Sequence, residues 1–165
     1  MSADSATHDP VFTPARRAQL EQLAPRYPTR QALLLPALWI AQRAHGWVSP
    51  AAIEEIAAEL GVTTAHVQGV VSFYTMYHTH PVGRHFIQVC TTSPCHMCGA
   101  PKVVDALLEH TGCVDLGAPS PDGRFTVIEV ECLGACGFVT PMLIDDDFIE
   151  SVTPDGVPEL LARYP

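Results

Sequence analysis

The chain has 165 residues, is 47% hydrophobic, and carries eighteen acidic against nine basic residues for a net charge of −9. That length fits one domain, or one domain plus a small helical unit, with enough apolar content to bury a core. The acidic balance argues against a nucleic-acid-binding surface, which needs a basic patch to release counterions, and no apolar run approaches the roughly 18 residues that span a bilayer.

Residues 1–12, MSADSATHDPVF, have no positive n-region and no apolar h-region, and they lack the Arg-rich character of a transit peptide. They read as a disordered tail of a chain that stays in the cytoplasm. Thiols are kept reduced there, so six cysteines point to metal ligands or redox catalysts rather than disulfide staples. Residues 13–80 then read as a helical bundle. Thr13-Pro14 is a cap followed by proline at the first helical position, and Thr29 caps the stretch RQALLLPALWIAQRAHG. In that stretch Leu34, Leu38, Ala41 and His45 recur at helical spacing, Pro36 kinks or delays the regular helix, and Gly46 ends it. Ser49-Pro50 repeats the start signal for a third helix that Gly61 terminates. A fourth follows Thr63 or Thr64 and carries Val67, Val70, Val71, Tyr74 and Tyr77.

From residue 81 the pattern changes to an α/β one. RHFIQVC alternates like a strand and ends on Cys90; a helix runs from about Gly99 to His110 and stops at Gly112. RFTVIEVEC is a second strand ending on Cys132. PMLIDDDFIESV reads as strand, turn at the aspartates, and strand, and a helix closes residues 81–165. The order strand, helix, strand, strand, helix is that of a small α/β sandwich.

The cysteines carry the chemistry. CTTSPCHMC offers Cys90 with Cys95 as C-x4-C, or Cys95 with Cys98 as the C-x2-C of dithiol oxidoreductases and zinc knuckles. Cys132 and Cys136 add a C-x3-C in ECLGACGF. Both groups begin at the C-terminal end of a predicted strand, and neighbouring parallel strands send the loops that follow them to one side. Two pairs converging there, with Gly134 and Gly137 letting backbone come close, suit zinc or an iron–sulfur cluster. The wide C-x4-C and C-x3-C loops favour a 2Fe–2S diamond over zinc, and zinc over a dithiol catalyst.

The motifs HGWVSPAAIEEIAAELGV, GVVSFYTMY, PVGRHFIQVC, CTTSPC and ECLGAC, recurring in order over residues 30–165, resemble the thioredoxin-like 2Fe–2S component, the E-type subunit, of respiratory NADH–quinone oxidoreductase (complex I). The resemblance implies a helical N-terminal unit and a thioredoxin-like 2Fe–2S domain at 81–165, with Cys90, Cys95, Cys132 and Cys136 as the cluster ligands. It implies a partner flavoprotein that binds NADH and FMN, within the peripheral arm of the complex on the cytoplasmic side of the membrane. One departure is that Pro141-Met142 stands one residue later after the last ligand than is usual in that family. Few cations stand near the ligand loops in sequence, only Arg84 and Lys102, so a low reduction potential is expected, with backbone N–H groups of LGACG as the main compensation. Two other readings stay open: the equivalent diaphorase subunit of an NAD-linked formate dehydrogenase or bidirectional hydrogenase, and a thiol oxidoreductase using Cys95 and Cys98.

The remaining features read as ordinary structure. Cys98 and Cys113 are small packing residues, His96 is a loop histidine beside a ligand, and His78 and His80 are polar loop. GVVSFYTMY reads as core more than docking surface, and Asp145-Asp146-Asp147 as a charged turn without the pattern of a calcium loop.

Overall fold

The computed structural model describes residues 9–165 and divides them into two compact units, one ending at Pro81 and one spanning Val82–Pro165. Residues 1–8 of the expected tail lie outside the described residues. Val11 and Phe12, read as part of that tail, are instead buried in the first unit. Their two N–H groups donate to the Glu55 carboxylate, each at 2.8 Å, so the carboxylate satisfies backbone donors that burial removes from water.

The first unit is α1 (Pro14–Leu23), α2 (Leu34–His45), α3 (Pro50–Leu60) and α4 (Thr64–Phe73). The expected caps form: Thr13, Ser49 and Thr63 each accept the N–H three residues on, at 3.1–3.3 Å. Thr29 caps a single 3-10 turn, Arg30–Leu33, rather than α2 itself. Pro36 thereby falls in the first turn of α2, where its missing N–H has no carbonyl to meet, so it delays the regular helix without kinking it. Leu20, Leu38, Ile56, Val67 and Val71 fill the core between the four helices. Tyr77 lies beyond the end of α4 and is buried, its hydroxyl donating to the Leu35 carbonyl at 3.0 Å. The Gln42 amide clasps the same segment, donating to the Met76 carbonyl at 2.8 Å and accepting the His78 N–H at 2.7 Å.

The second unit is β1 (His85–Cys90), α5 (Ser93–Met97), α6 (Ala100–Thr111), β2 (Phe125–Val130), β3 (Met142–Ile144), β4 (Asp147–Ile149) and α7 (Val157–Leu161). The sheet order is β2-β1-β3-β4, with β1 and β2 parallel and the other pairs antiparallel. A parallel pair needs a long crossover, which α5 and α6 supply. The aspartate run is the tight turn of the β3–β4 hairpin, with Asp145 at φ 54°. Ile87, Val89 and Val127 meet Val103, Val104 and Leu107 of α6 and Leu160 of α7. Each such side chain contributes about 1.5–3 kcal/mol by leaving water.

The register of the parallel pair runs from His85 opposite Phe125 to Cys90 opposite Val130. Gly83 fixes its beginning. A Cβ there would stand 2.4 Å from the Phe125 carbonyl carbon, and the Gly83 N–H donates to the Thr126 hydroxyl at 2.8 Å. No helix among the described residues is long and apolar enough to cross a membrane.

Candidate metal centre

Because β1 and β2 are parallel, the chain leaves both at the same edge of the sheet, and the thiols gather at that edge. Cys90 is the last residue of β1 and is 1% exposed. Cys95, equally buried, sits on the short helix α5 rather than in the loop expected from the sequence. Ser93 and Pro94 start that helix, since proline at its first turn gives up no hydrogen bond. Ala100, Leu133 and Val139 pack around these two sulfurs and keep water from them.

Cys132 and Cys136 lie on the loop after β2 and are exposed. The strand ends at Val130, two residues earlier than RFTVIEVEC suggests. Their sulfurs are 3.6 Å apart, close to the about 3.8 Å that two thiolates on one tetrahedral metal ion keep. The loop is tied back to β1, since the Cys90 N–H donates to the Pro141 carbonyl and the Thr91 N–H to that of Val130, both at 3.2 Å. Within it the Val139–Thr140 peptide is cis. Gly134 serves the loop differently from the expected close approach. A Cβ at Gly134 or Gly137 would meet nothing within 4 Å, and what Gly134 supplies is its φ of 79°. That conformation lets the Gly134 N–H donate to the Cys132 sulfur at 3.4 Å.

The four sulfurs feel one another. Burial pushes the Cys95 thiol up to about 11, with the Cys90, Cys136 and Cys132 sulfurs adding to the rise. Cys136 is raised too, chiefly by its hydrogen bond and charge interaction with Cys132. Cys90 moves the other way. Burial opposes its ionisation, yet the N–H groups of Leu133 and Thr92, with the Thr92 hydroxyl and the Cys95 thiol, bring it below the ordinary thiol range. The Leu133 N–H therefore reaches from the second loop to the first thiol. The expected backbone support from LGACG is present, and Thr92 joins it. Sequence reasoning passed over Thr92, although a threonine two residues past a strand-ending cysteine and just ahead of Ser-Pro was the available signal.

Thiols brought to one end of the sheet raise one another's pKa, and a cationic core bound between the pairs would hold them ionised together. Among the described residues no three His, Cys, Asp or Glu side chains gather about one point. The donors come as two pairs, one from each loop, which is the donor set for a centre with two metal ions. The other sequence candidates stay outside. Cys98 is exposed at the end of α5, and His96 is exposed on it. Cys113 is buried in the sheet core with its thiol donating to the Phe125 carbonyl at 3.6 Å. His78 and His80 belong to the first unit.

The model of the thioredoxin-like 2Fe-2S ferredoxin family matches residues 20–165. The mitochondrial NADH dehydrogenase (ubiquinone) flavoprotein 2 of Dictyostelium discoideum is 38% identical over 96% of this chain, which spans 65% of that protein. An E-type subunit of the NADH-quinone oxidoreductase of Rhizobium meliloti is 42% identical over 90% of this chain and 88% of its own length. The E-type subunit of the Escherichia coli enzyme is 39% identical over 91% and 90%. A crystal structure of an NAD+-reducing NiFe-hydrogenase in the H2-reduced state superposes with a TM-score of 0.67. It is 20% identical, covers 79% of this chain and 22% of the hydrogenase chain, and so speaks for the fold alone.

Proposed function

The chain belongs to the thioredoxin-like 2Fe-2S ferredoxin family, and from that premise we propose that it is the electron-transfer subunit of an NADH–quinone oxidoreductase, with Cys90, Cys95, Cys132 and Cys136 holding its 2Fe–2S cluster. The observation that carries the reading is the convergence of two thiol pairs at the C-terminal edge of β1 and β2. Bound there, a 2Fe–2S cluster takes up and passes on one electron at a time, with no bond broken in a substrate.

The chain's own residues set the conditions for that exchange. Ala100, Leu133 and Val139 exclude water from Cys90 and Cys95. The N–H groups of Thr92, Leu133 and Gly134 direct partial positive charge at sulfur, which offsets part of the negative charge collected there. Cys132 and Cys136 face solvent, so exchange with a partner takes place on their side. The relatives are subunits of a complex, and this chain works as one of its subunits. The partner we assign is the NADH- and FMN-binding flavoprotein, in the peripheral arm on the cytoplasmic side of the membrane.

A thiol oxidoreductase using Cys95 and Cys98 fits less well. Such an enzyme needs a thiol that ionises readily, whereas Cys95 is buried and held up at about 11. The decisive measurement is an electron paramagnetic resonance spectrum of the dithionite-reduced chain, with iron, sulfide and zinc assayed on the same sample. About two irons and about two labile sulfides per chain are expected. A colourless, zinc-loaded chain from anaerobic purification overturns the reading.

A further inference from the structure

We propose that Thr92 raises the reduction potential of the centre, its hydroxyl donating to the Cys90 sulfur and stabilising the charge that one added electron places there. This rests on the cluster reading proposed above and gives a role to a residue outside the four ligands.

What singles out Thr92 is a helix cap that its side chain does not make. Thr92 stands at the N-cap of α5 with φ −58° and ψ 157°. That is nearly the backbone of Thr13 at the N-cap of α1, with φ −62° and ψ 161°. The hydroxyls of Thr13, Ser49 and Thr63 each accept the N–H three residues on. At Thr92 the equivalent donor is the Cys95 N–H, and the side chain does not accept it. Only the backbone of Thr92 caps the turn, its carbonyl accepting the His96 N–H at 2.9 Å. The hydroxyl lies instead 3.7 Å from the Cys90 sulfur, a hydrogen-bond distance for so large an atom. Threonine suits an N-cap because of the bond its hydroxyl makes there, so a hydroxyl turned from that bond toward a ligand sulfur calls for another reason.

The direction of that bond follows the state of the sulfur. As a thiol, Cys90 carries the proton and donates to the Thr92 hydroxyl. As a metal-bound thiolate it has no proton, so the hydroxyl becomes the donor and aims its positive end at the ligand. Cys90 is 1% exposed, so water does not supply such bonds and the chain must. The groups that reach it are the N–H of Leu133, the N–H and hydroxyl of Thr92, and the Cys95 thiol, which drops out once it too is a ligand. Cations are scarce near these segments, since no Lys or Arg stands between Arg84 and Lys102 or between Arg124 and Arg163. Dipoles therefore carry much of the compensation. Of the three remaining donors only the hydroxyl belongs to a side chain, so only it can be removed by substitution. A hydrogen bond strengthens as charge grows on its acceptor, so this one favours the reduced, more negative state.

The test is a redox titration of the cluster-loaded full chain, followed by electron paramagnetic resonance with mediator dyes present and iron assayed on each sample. Wild type is compared with Thr92→Val, Thr92→Ala and Thr92→Ser. Valine puts a methyl group in place of the hydroxyl at nearly the same volume. Thr92→Val should keep about two irons and disfavour the reduced form ~3- to 10-fold, a fall in midpoint potential of about 28 to 59 mV for one electron. Thr92→Ala should fall likewise, whereas Thr92→Ser keeps the donor and should hold the wild-type potential. An unchanged potential in Thr92→Val at full iron overturns the proposal, and so does an equal fall in Thr92→Ser. Loss of iron from both Thr92→Val and Thr92→Ala gives the hydroxyl a structural role and overturns it as well. A wild-type chain that binds no iron overturns instead the cluster reading beneath it.

Discussion

The two thiol pairs are built in opposite ways. Cys90 and Cys95 stand on regular structure, the end of β1 and the short helix α5, and are packed against Ala100, Leu133 and Val139. Cys132 and Cys136 stand on an exposed loop whose shape comes from a left-handed glycine and a few backbone hydrogen bonds. The difference teaches that half the site is a product of the fold's own core, whereas the other half is an adaptable loop that faces whatever approaches. On the proposed function, anchoring and exchange are thus divided between the pairs.

Breaking the anchored pair should have the largest effect. Cys90→Ser is expected to reduce iron from about two per chain to near zero, since a buried alkoxide is a poor iron ligand and the packed surroundings leave no room to bring in another. Cys132→Ser should retain a measurable fraction of the iron, because its loop can shift. Iron assay and visible absorbance of the two variants, purified side by side, give the comparison, and equal iron in both would end it.

Thiol reactivity of the metal-free chain sharpens the same contrast. A thiol held up at about 11 is mostly protonated at pH 8, so Cys95 should react with iodoacetamide on the order of 100-fold more slowly than an ordinary exposed cysteine. Raising the pH ionises it, and the rate should climb about tenfold per pH unit until it levels near pH 11. Mass spectrometry of the labelled peptides reads each cysteine separately. If Cys95 is labelled as fast as Cys132 at pH 8, the anchored pair is not sealed.

Gly83 tests whether the sheet positions the anchored pair. An alanine Cβ would collide with Phe125 backbone, which cannot swing aside as a side chain can. Gly83→Ala should cost about 2–3 kcal/mol in urea unfolding through displaced strand pairing. A loss under ~0.5 kcal/mol would mean that the β1–β2 register bears no strain from this approach.

The smallest effect belongs to Cys98. Exposed at the end of α5 and outside both pairs, it should tolerate Cys98→Ser with unchanged iron content and spectrum. A dithiol enzyme predicts the reverse, with Cys98 indispensable for disulfide exchange. Disulfide reductase activity, measured beside iron, separates the two.

Much of this was open to reading from residue order, because it depends on neighbours in the chain. The caps at Thr13, Ser49 and Thr63, the two long strands, the hairpin at the aspartates and the grouping of cysteines are all local. A cap is one side chain meeting an N–H three residues away, and a strand is an alternation of a few positions. What residue order did not reveal depends on contacts across tens of residues. Glu55 holds Val11 and Phe12 inside the first unit, and Leu133 turns its N–H toward Cys90. The burial of one thiol pair beside the exposure of the other has the same origin. C-x4-C and C-x3-C look equivalent as spacings, and they become unlike only when β1 lies between β2 and β3 and α5 folds back onto its end.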